Sequence, residues 1–282
     1  GCVSAIIDNN VGVVGVAPHC TVRAGKIFNE ISIFGFCLGF LESQDSWTVN
    51  GITWSADVGA KVTNSSWGGG SGSASISTAF NETRAQGVLH IAAAGNDGST
   101  NIGWPANLSS VNAVAAMASN GNLADFSTSG NGLFISAPGA SIRTTDRMGG
   151  DGYGTGDTTT IDGTSFASPY VAGVAALVFS MDNSLSPDDV ENVLATTAID
   201  YGSTGYDTTY GHGFVNAFQA VATLDTPGCD GDVNSDNIVN VSDILEIISQ
   251  WGTSNEDADV NGDGIVNVSD LLDAVANWGE CS

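Results

Sequence analysis

The spacing of apolar positions divides the chain into two parts. Up to about residue 223, short apolar runs of strand length alternate with longer runs of helical length. This alternation predicts a doubly wound α/β fold, in which a mostly parallel sheet carries helices on both faces. The predicted strands are 21–28, 61–65, 88–93, 112–118 and 134–137, and the predicted helices are 47–57, 76–86, 165–181 and 187–196.

One predicted helix is apolar on every side, from Val171 to Phe179. Surface helices carry a single apolar stripe, so a helix without a polar face is expected to be buried. Ser165 stands at its N-terminus, where unpaired backbone N–H groups and the helix dipole favour negative charge. That position suits a nucleophile whose product is an oxyanion, although a plain buried helix has the same spacing.

A second pattern begins after the breaker sequence 224–228, which contains Pro227 and is predicted to be a linker. The segment that starts at Asp232 returns 27 residues later at Asp259, and each copy runs into an apolar helix that ends in Trp-Gly. We therefore predict two domains, 1–223 and 229–282, of which the second is a small α module of two repeated units.

The charge balance excludes some partners. The 282 residues include 31 acidic and 6 basic side chains, a net charge of −25. Without a basic patch, the chain is not expected to bind nucleic acid or an anionic membrane. Its longest apolar run is too short for a membrane span. Abundant glycine and scarce lysine suit a secreted protein, and Gly1 in place of methionine indicates a mature product or a fragment.

Both copies of the repeat place oxygen-bearing side chains at positions 1, 3, 5, 9 and 12 of a loop, with a backbone carbonyl at 7, as in an EF-hand calcium loop. Position 6 requires a residue that tolerates a positive φ, and here it is Asn237 or Gly264. An acidic turn repeat without a metal is the alternative. The predicted Ca2+ ligands are Asp232, Asn234, Asp236, Ile238, Asn240 and Asp243, then Asp259, Asn261, Asp263, Ile265, Asn267 and Asp270.

Residues 229–282 resemble a type I dockerin, in which paired loop–helix units carry aspartate at loop position 12. The resemblance implies two structural calcium ions and, in cellulosome systems, a cohesin-like partner. A module for stabilisation or surface attachment is the alternative. Because a two-fold repeat tends to bring its ends together, we predict a disulfide between Cys229 and Cys281. The cysteines left over are Cys2, Cys20 and Cys37.

A serine hydroxyl becomes a useful nucleophile only when a base takes its proton and preorganised donors hold the oxyanion. The backbone N–H of Ser165 supplies one donor. Asn96 is a candidate for the second, because it follows a buried apolar run and Gly95 and so stands at the edge of the predicted sheet. An ordinary turn asparagine is the alternative for Asn96.

Several segments together resemble the subtilisin-like serine proteases over most of the first predicted domain. Residues 163–173 are similar to the family's nucleophile motif, with Phe166 where methionine is usual. Residues 92–96 are similar to its oxyanion-hole segment. Residues 64–69 are similar to the strand that pairs with the substrate, with Trp67 in place of leucine.

The resemblance implies a secreted endopeptidase that cleaves a protein or peptide substrate through an acyl-enzyme on Ser165, with Asn96 as oxyanion donor. It also places Asn9 in a loop that often binds calcium, although the aspartate usual in that loop would lie upstream. The residues expected to line the pocket for the residue before the scissile bond are Ser66, Trp67, Gly68, Ala93, Ala94 and Gly95.

The family's chain order is aspartate, histidine, serine, so its first two motifs are expected to precede residue 1. His19, His90 and His212 match no family base, and no aspartate here replaces the missing acid. We therefore expect the chain alone to be nearly inert. Two alternatives stay open: a non-catalytic, protease-like scaffold or attachment protein, and a serine esterase that uses the same machinery.

Overall fold

The computed structural model describes residues 1–33, 36–70, 72–150, 152–224 and 230–281. Two compact units divide the chain, Gly1–Val221 and Ala222–Ser282. The elements in chain order are β1 (Asn29–Ile33), β2 (Phe36–Glu42), α1 (Asp45–Asp57), β3 (Val62–Ser65), α2 (Ala74–Ala85), β4 (Leu89–Ala93), β5 (Asn112–Met117), β6 (Leu133–Pro138), β7 (Ile142–Thr145), β8 (Thr158–Ile161), α3 (Thr164–Met181), α4 (Pro187–Thr197), α5 (Ala217–Ala222), β9 (Ile238–Val239), α6 (Val241–Ser249), α7 (Val268–Ala276) and β10 (Gly279–Glu280).

The first unit is built on a parallel sheet of four strands in the order β3-β4-β5-β6. Strand β5 is buried along its whole length and β4 along nearly all of it, as expected for central strands of a sheet covered on both faces. Four of the five predicted strands and all four predicted helices are confirmed, each with ends that differ by a few residues at most.

The strand predicted at 21–28 is wrong, because these residues form no strand. Instead β1 and β2 follow as an antiparallel hairpin. A strand needs a neighbour for its backbone hydrogen bonds, and among the described residues nothing pairs with 21–28 or with the outer edge of β3. Apolar spacing reports strand propensity but not the presence of a partner.

Helix α3 is the buried helix that its all-round apolar pattern predicts. It contacts all four strands of the parallel sheet, and Val171, Ala175 and Val178 are fully buried. In the described ranges it is the one helix long and apolar enough to cross a membrane. However, 61% of it is buried inside the unit, which is typical of a core helix. A Cβ on Gly173 would lie 2.8 Å from Val16, so glycine permits the N-terminal segment to approach.

Helix α4 begins as its sequence indicates. Ser186 caps it, Pro187 is its first residue, and the Ser186 hydroxyl and the Asp189 carboxylate each bond the other's backbone N–H. Arg84 on α2 joins the two helices through a bidentate ion pair with Glu191, with N–O distances of 2.5 and 2.9 Å. Glu191 also accepts a hydrogen bond from the Asn112 amide at the start of β5, which is the end of the sheet opposite the carboxyl ends of the strands.

The second unit contains the two repeated loop–helix segments, each loop leading into α6 or α7. Its core is small and duplicated, with Ile247 on α6 and Ala274 on α7 at equivalent positions, both fully buried. Strands β9 and β10 pair antiparallel and join the first loop to the end of the module. The predicted boundary 224–228 falls just after the division between the units, and 225–228 lie outside the described residues.

Candidate active site and calcium loops

The residues predicted for catalysis and substrate binding meet at the carboxyl edge of the parallel sheet. The segments 66–69 and 94–97 follow the neighbouring strands β3 and β4, so they leave the sheet side by side. The N-terminus of α3 meets both. All eight predicted residues, from Ser66 to Ser165 along the chain, line one cleft of about 320 Å³.

Thr164 holds the Asn96 side chain in one orientation. The Oδ1 atom of Asn96 accepts hydrogen bonds from the backbone N–H of Thr164 at 2.8 Å and from its hydroxyl at 2.9 Å. Because the oxygen is occupied, the Nδ2 end is left to donate. A Cβ built on Gly163 would lie 3.6 Å from Asn96 Nδ2 and 3.6 Å from the backbone N of Ser165. Two donors therefore lie at the same distance from one position next to Gly163.

Ser165 is the second residue of α3, where a backbone N–H has no acceptor within the helix. Its half-buried hydroxyl donates a long hydrogen bond of 3.4 Å to the carbonyl of Ser66. In return the Ser66 hydroxyl donates to the carbonyl of Ser165 at 2.8 Å and lies 3.1 Å from the Ser168 hydroxyl. The segment after β3 is thus tied to the start of α3, while the Ser165 hydroxyl keeps only a weak contact.

None of the three histidines, all of them described, lines the cleft. His19 is exposed. His90 is fully buried between the hydroxyls of Thr63, at 2.7 Å, and Thr83, at 3.0 Å, and burial lowers its pKa to about 4. Burial also lowers the pKa of His212, which packs against aromatic rings. Each histidine is accounted for by packing or exposure.

Sequence reasoning missed Thr128, which is buried and lines the cleft. Its hydroxyl donates to Asp97 Oδ1 at 2.7 Å, and its backbone N–H donates to the Gly95 carbonyl at 3.0 Å. A Cβ on Gly95, whose φ is +128°, would lie 2.7 Å from the Thr128 hydroxyl, so only glycine fits there. Thr164 could be found from the sequence because it precedes Ser165 in the same motif. Thr128 lies in the loop after β5, and no local sequence pattern connects it with the site.

The loop that contains Asn9 has a local structure of its own. Asn9 Oδ1 accepts a hydrogen bond from the backbone N–H of Val11 at 2.9 Å, and Asp8 and Asn10 both have positive φ. Among the described residues, the cluster of acidic side chains arranged to hold a metal lies elsewhere. A calcium site at Asn9 stays a prediction.

The two predicted calcium loops have the same internal hydrogen bonds. Asp232 Oδ2 accepts from the residue at loop position 6, the N–H of Asn237, at 2.7 Å, and Asp259 Oδ2 accepts from Gly264 at 2.7 Å. Asn237 and Gly264 have φ of +66° and +91°, which confirms the predicted backbone at that position. In the first loop, the carboxylates of Asp232, Asp236 and Asp243 lie within 4.8 Å of one another.

The aspartates at loop position 12 are buried, which is costly for a carboxylate without a cation. Asp243 and Asp270 are both 0% exposed, and each accepts backbone N–H bonds from two residues of its own loop. For Asp270, burial by itself raises the pKa, but hydrogen bonds from Asn267 and Asn261 outweigh it, and the pKa is lowered. Clustered carboxylate oxygens in a loop of this kind are the ligands that Ca2+ prefers.

The cysteines differ between the two units. Cys2 is buried and Cys20 half-buried, and both are free thiols. Cys281 is disulfide-bonded. Its predicted partner Cys229 lies outside the described residues, so the Cys229–Cys281 pairing itself stays a prediction.

Comparison with protein-family models matches residues 1–213 to the subtilase family and residues 230–273 to the dockerin type I domain. The chain therefore belongs to the subtilase family, and it combines a subtilase-like protease domain with a dockerin domain. This confirms the two resemblances and the fold class that the motifs predicted.

Individual relatives agree with the family. The chain is 40% identical to subtilisin DY of Bacillus licheniformis over 216 residues, which cover 75% of this chain and 72% of that protein. It is 38% identical to alkaline elastase YaB of Bacillus sp. (strain YaB) over 76% of this chain and 51% of the elastase. Among solved structures, fervidolysin from Fervidobacterium pennivorans matches with a TM-score of 0.68 and 30% identity, covering 79% of this chain and 35% of fervidolysin.

Proposed function

We propose that this chain is the Ser165-bearing part of an extracellular serine endopeptidase that is attached or stabilised through its dockerin domain. Ser165 attacks the carbonyl carbon of a peptide bond, and the amine leaves as the acyl-enzyme forms. The oxyanion is held by the backbone N–H of Ser165 and by Asn96 Nδ2. Support comes from one arrangement: both donors lie 3.6 Å from the position that a Cβ on Gly163 would take, and the amide of Asn96 is fixed by Thr164.

The cleft walls bind the residue before the scissile bond. Ser66, Trp67 and Gly68 form one side, and the other side is formed by Ala93, Ala94 and Gly95. The two segments leave adjacent parallel strands, so an extended peptide can lie between them. A base must take the proton of the Ser165 hydroxyl, and the described histidines do not reach this cleft.

The dockerin domain binds two calcium ions in this proposal, one in each loop, through the ligands listed from the sequence. Calcium, when bound, would neutralise the carboxylates of each loop, of which the one at position 12 is buried, and it would thereby fix the loop ahead of each helix. The partner of this domain is a cohesin-like protein, as type I dockerins imply.

The absence of a histidine among the residues that line the cleft favours a second candidate, a non-catalytic protease-like attachment protein. An activity-based probe separates the two. In the full-length, propeptide-free protein, a fluorophosphonate is expected to label Ser165, and Ser165→Ala abolishes the label. A folded protein that is not labelled and does not turn over casein supports the attachment protein. Labelling with turnover of esters but not of casein identifies an esterase.

A further inference from the structure

The position of Asn96 depends on hydrogen bonds more than on packing. The residue is exposed, so neighbouring side chains do not enclose it. Thr164 fixes its side-chain oxygen through two hydrogen bonds. Those bonds orient the amide, but they do not hold the backbone that carries it. Because a catalytic group has to be held to within about 0.5 Å of its productive position, the loop around Asn96 needs a support of its own.

Thr128 contacts both chain neighbours of Asn96. Its backbone N–H donates to the Gly95 carbonyl at 3.0 Å, and its hydroxyl donates to Asp97 Oδ1 at 2.7 Å. The side chain also lies close to Gly95, since a Cβ built on that glycine would be 2.7 Å from the Thr128 hydroxyl oxygen. The residues on either side of Asn96 are therefore held by the same threonine.

The position of Thr128 is fixed by the sheet. Thr128 is 1% exposed, and Ser127 beside it is 3% exposed. The Ser127 hydroxyl accepts a hydrogen bond from the backbone N–H of Ala116, on β5, at 2.9 Å. Strand β5 pairs with β4, the strand that leads to Asn96. Thr128 thus connects the loop after β4 to the neighbouring strand of the sheet.

Two further backbone bonds join the same segments. The N–H of Gly98 donates to the Phe126 carbonyl at 2.8 Å, and the N–H of Ser129 donates to the Ser99 carbonyl at 3.0 Å. These bonds do not involve the side chain of Thr128. Removal of the Thr128 hydroxyl should therefore loosen the loop around Asn96 without detaching it.

We propose that Thr128 is a positioning residue for the reaction, which holds Asn96 Nδ2 at the oxyanion through the two chain neighbours of Asn96. This inference rests on the proposed endopeptidase function. Thr164, on α3, orients the amide group, whereas Thr128 fixes the backbone that carries it. In this role Thr128 donates nothing to the oxyanion, and its effect on the rate passes entirely through Asn96.

Steady-state hydrolysis of a peptide p-nitroanilide by the full-length protein tests the inference. Thr128→Val removes the hydroxyl and keeps the shape of the side chain. We expect kcat to fall by about tenfold with little change in KM, because the oxyanion forms only in the transition state. Thr128→Ser keeps the hydroxyl and should restore kcat. In an Asn96→Leu background, Thr128→Val should change kcat by less than about twofold, because no donor is left to position.

A second pair of variants leaves the buried threonine intact. Asp97→Ala removes the acceptor of the Thr128 hydroxyl, whereas Asp97→Asn removes the same charge and keeps an oxygen acceptor. Asp97 is exposed, so neither change opens a cavity in the core. We expect kcat to fall for Asp97→Ala and to stay near that of the parent protein for Asp97→Asn.

Thr83→Val is the matched control for the loss of a buried hydroxyl. Thr83 is also 1% exposed, but it belongs to α2 and does not line the cleft. The change should lower the stability of the first unit, because the Thr83 hydroxyl is hydrogen-bonded, and it should leave kcat unchanged.

The double variant gives the decisive outcome. If Thr128→Val lowers kcat by the same factor with and without Asn96→Leu, Thr128 acts independently of Asn96 and the inference is overturned. An unchanged kcat in both Thr128→Val and Asp97→Ala overturns it as well. In either case, turnover by the parent protein leaves the endopeptidase function standing. No turnover of any peptide, together with no fluorophosphonate labelling of Ser165, contradicts the proposed function itself.

Discussion

The cleft and the two predicted calcium loops both hold polar groups in fixed positions, for an oxyanion in the cleft and for Ca2+ in each loop in our proposal. They differ in how far apart along the chain the bonded residues lie. In the cleft, the bonds from Thr164 to Asn96 and from Ser66 to Ser165 join residues 68 and 99 positions apart. In each loop, the bonds to the buried aspartate span at most 9 positions. The cleft therefore depends on the whole sheet, whereas each loop depends on its own residues and, as we propose, on a cation.

Removal of calcium gives the largest effect that this difference predicts. With no Lys or Arg after residue 228, the dockerin domain cannot neutralise its buried carboxylates internally. If calcium is present at about a thousand times its Kd, chelation should lower the stability of this domain by about 4 kcal/mol for each of the two proposed ions. Amide hydrogen exchange of the intact protein should show lost protection in 230–281 and unchanged protection in α3.

Asp270→Asn should reproduce part of that loss, because it removes a buried carboxylate that fixes the second loop. Asp273→Asn, three residues further along α7 and exposed, is the matched control and should change little. Equal protection with and without a chelator would show that the loops need no metal and are acidic turns only.

The second prediction concerns the long-range site. Asn96→Leu removes a donor that only an oxyanion needs, so kcat should fall by about 10²–10³-fold with little change in KM. Asn107→Leu, an exposed asparagine outside the cleft, should leave both constants unchanged. A fall in kcat/KM that arises entirely from KM would mean that Asn96 binds substrate rather than the oxyanion.

The same difference in chain distance explains how much the sequence could predict. The backbone turns of the two predicted calcium loops were predictable from the sequence, because Asp232 and Asp243 belong to one short pattern that is repeated. Ser165 and Asn96 were found through motifs, and their meeting at one sheet edge follows from parallel strand order. Thr128 could not be found, since its contact with Asp97 is created only when two loops meet. The strand predicted at 21–28 failed for a related reason, because pairing depends on a distant partner.

The third prediction concerns the pH dependence of the stability of the first unit, through the buried side chain of His90. His90 has a pKa of about 4 in the fold against 6.5 as its ordinary value, so the folded state favours the neutral ring. Its contribution to stability is complete above pH 6.5 and is lost as the pH falls toward 4, by about 3 kcal/mol in total. Arg84 is the charged group that opposes protonation of the ring, after burial itself.

Urea unfolding of the first unit at several pH values between about 4 and 7 measures this loss. Subtracting the curve of a His90→Gln variant isolates the contribution of His90 from those of the carboxylates. His19→Gln, at an exposed position, should follow the parent protein. Identical pH dependence in the parent and His90→Gln proteins would show that the ring titrates normally in the fold.

The smallest predicted effect concerns stability and compares the two carboxylates that form ion pairs with Arg84. Glu191 receives both guanidinium nitrogens and is 22% exposed, whereas Asp188 receives one and is 85% exposed. Glu191 also accepts a hydrogen bond from Asn112, at the start of β5, so loss of Arg84 leaves a partly buried charge with one neutral partner.

Arg84→Ala should therefore destabilise the first unit by about 2 kcal/mol, and Asp188→Ala by less than about 1 kcal/mol, because a well-solvated ion pair contributes little. Arg147→Ala, at an exposed arginine in the loop after β7, controls for the loss of one of the few positive charges and should have almost no effect. If Arg84→Ala and Arg147→Ala lower the free energy of unfolding equally in urea, the effect arises from net charge. A loss confined to Arg84→Ala identifies the pair with Glu191 as a long-range contact that joins α4 to α2. The dockerin domain has no Lys or Arg with which to form such a pair.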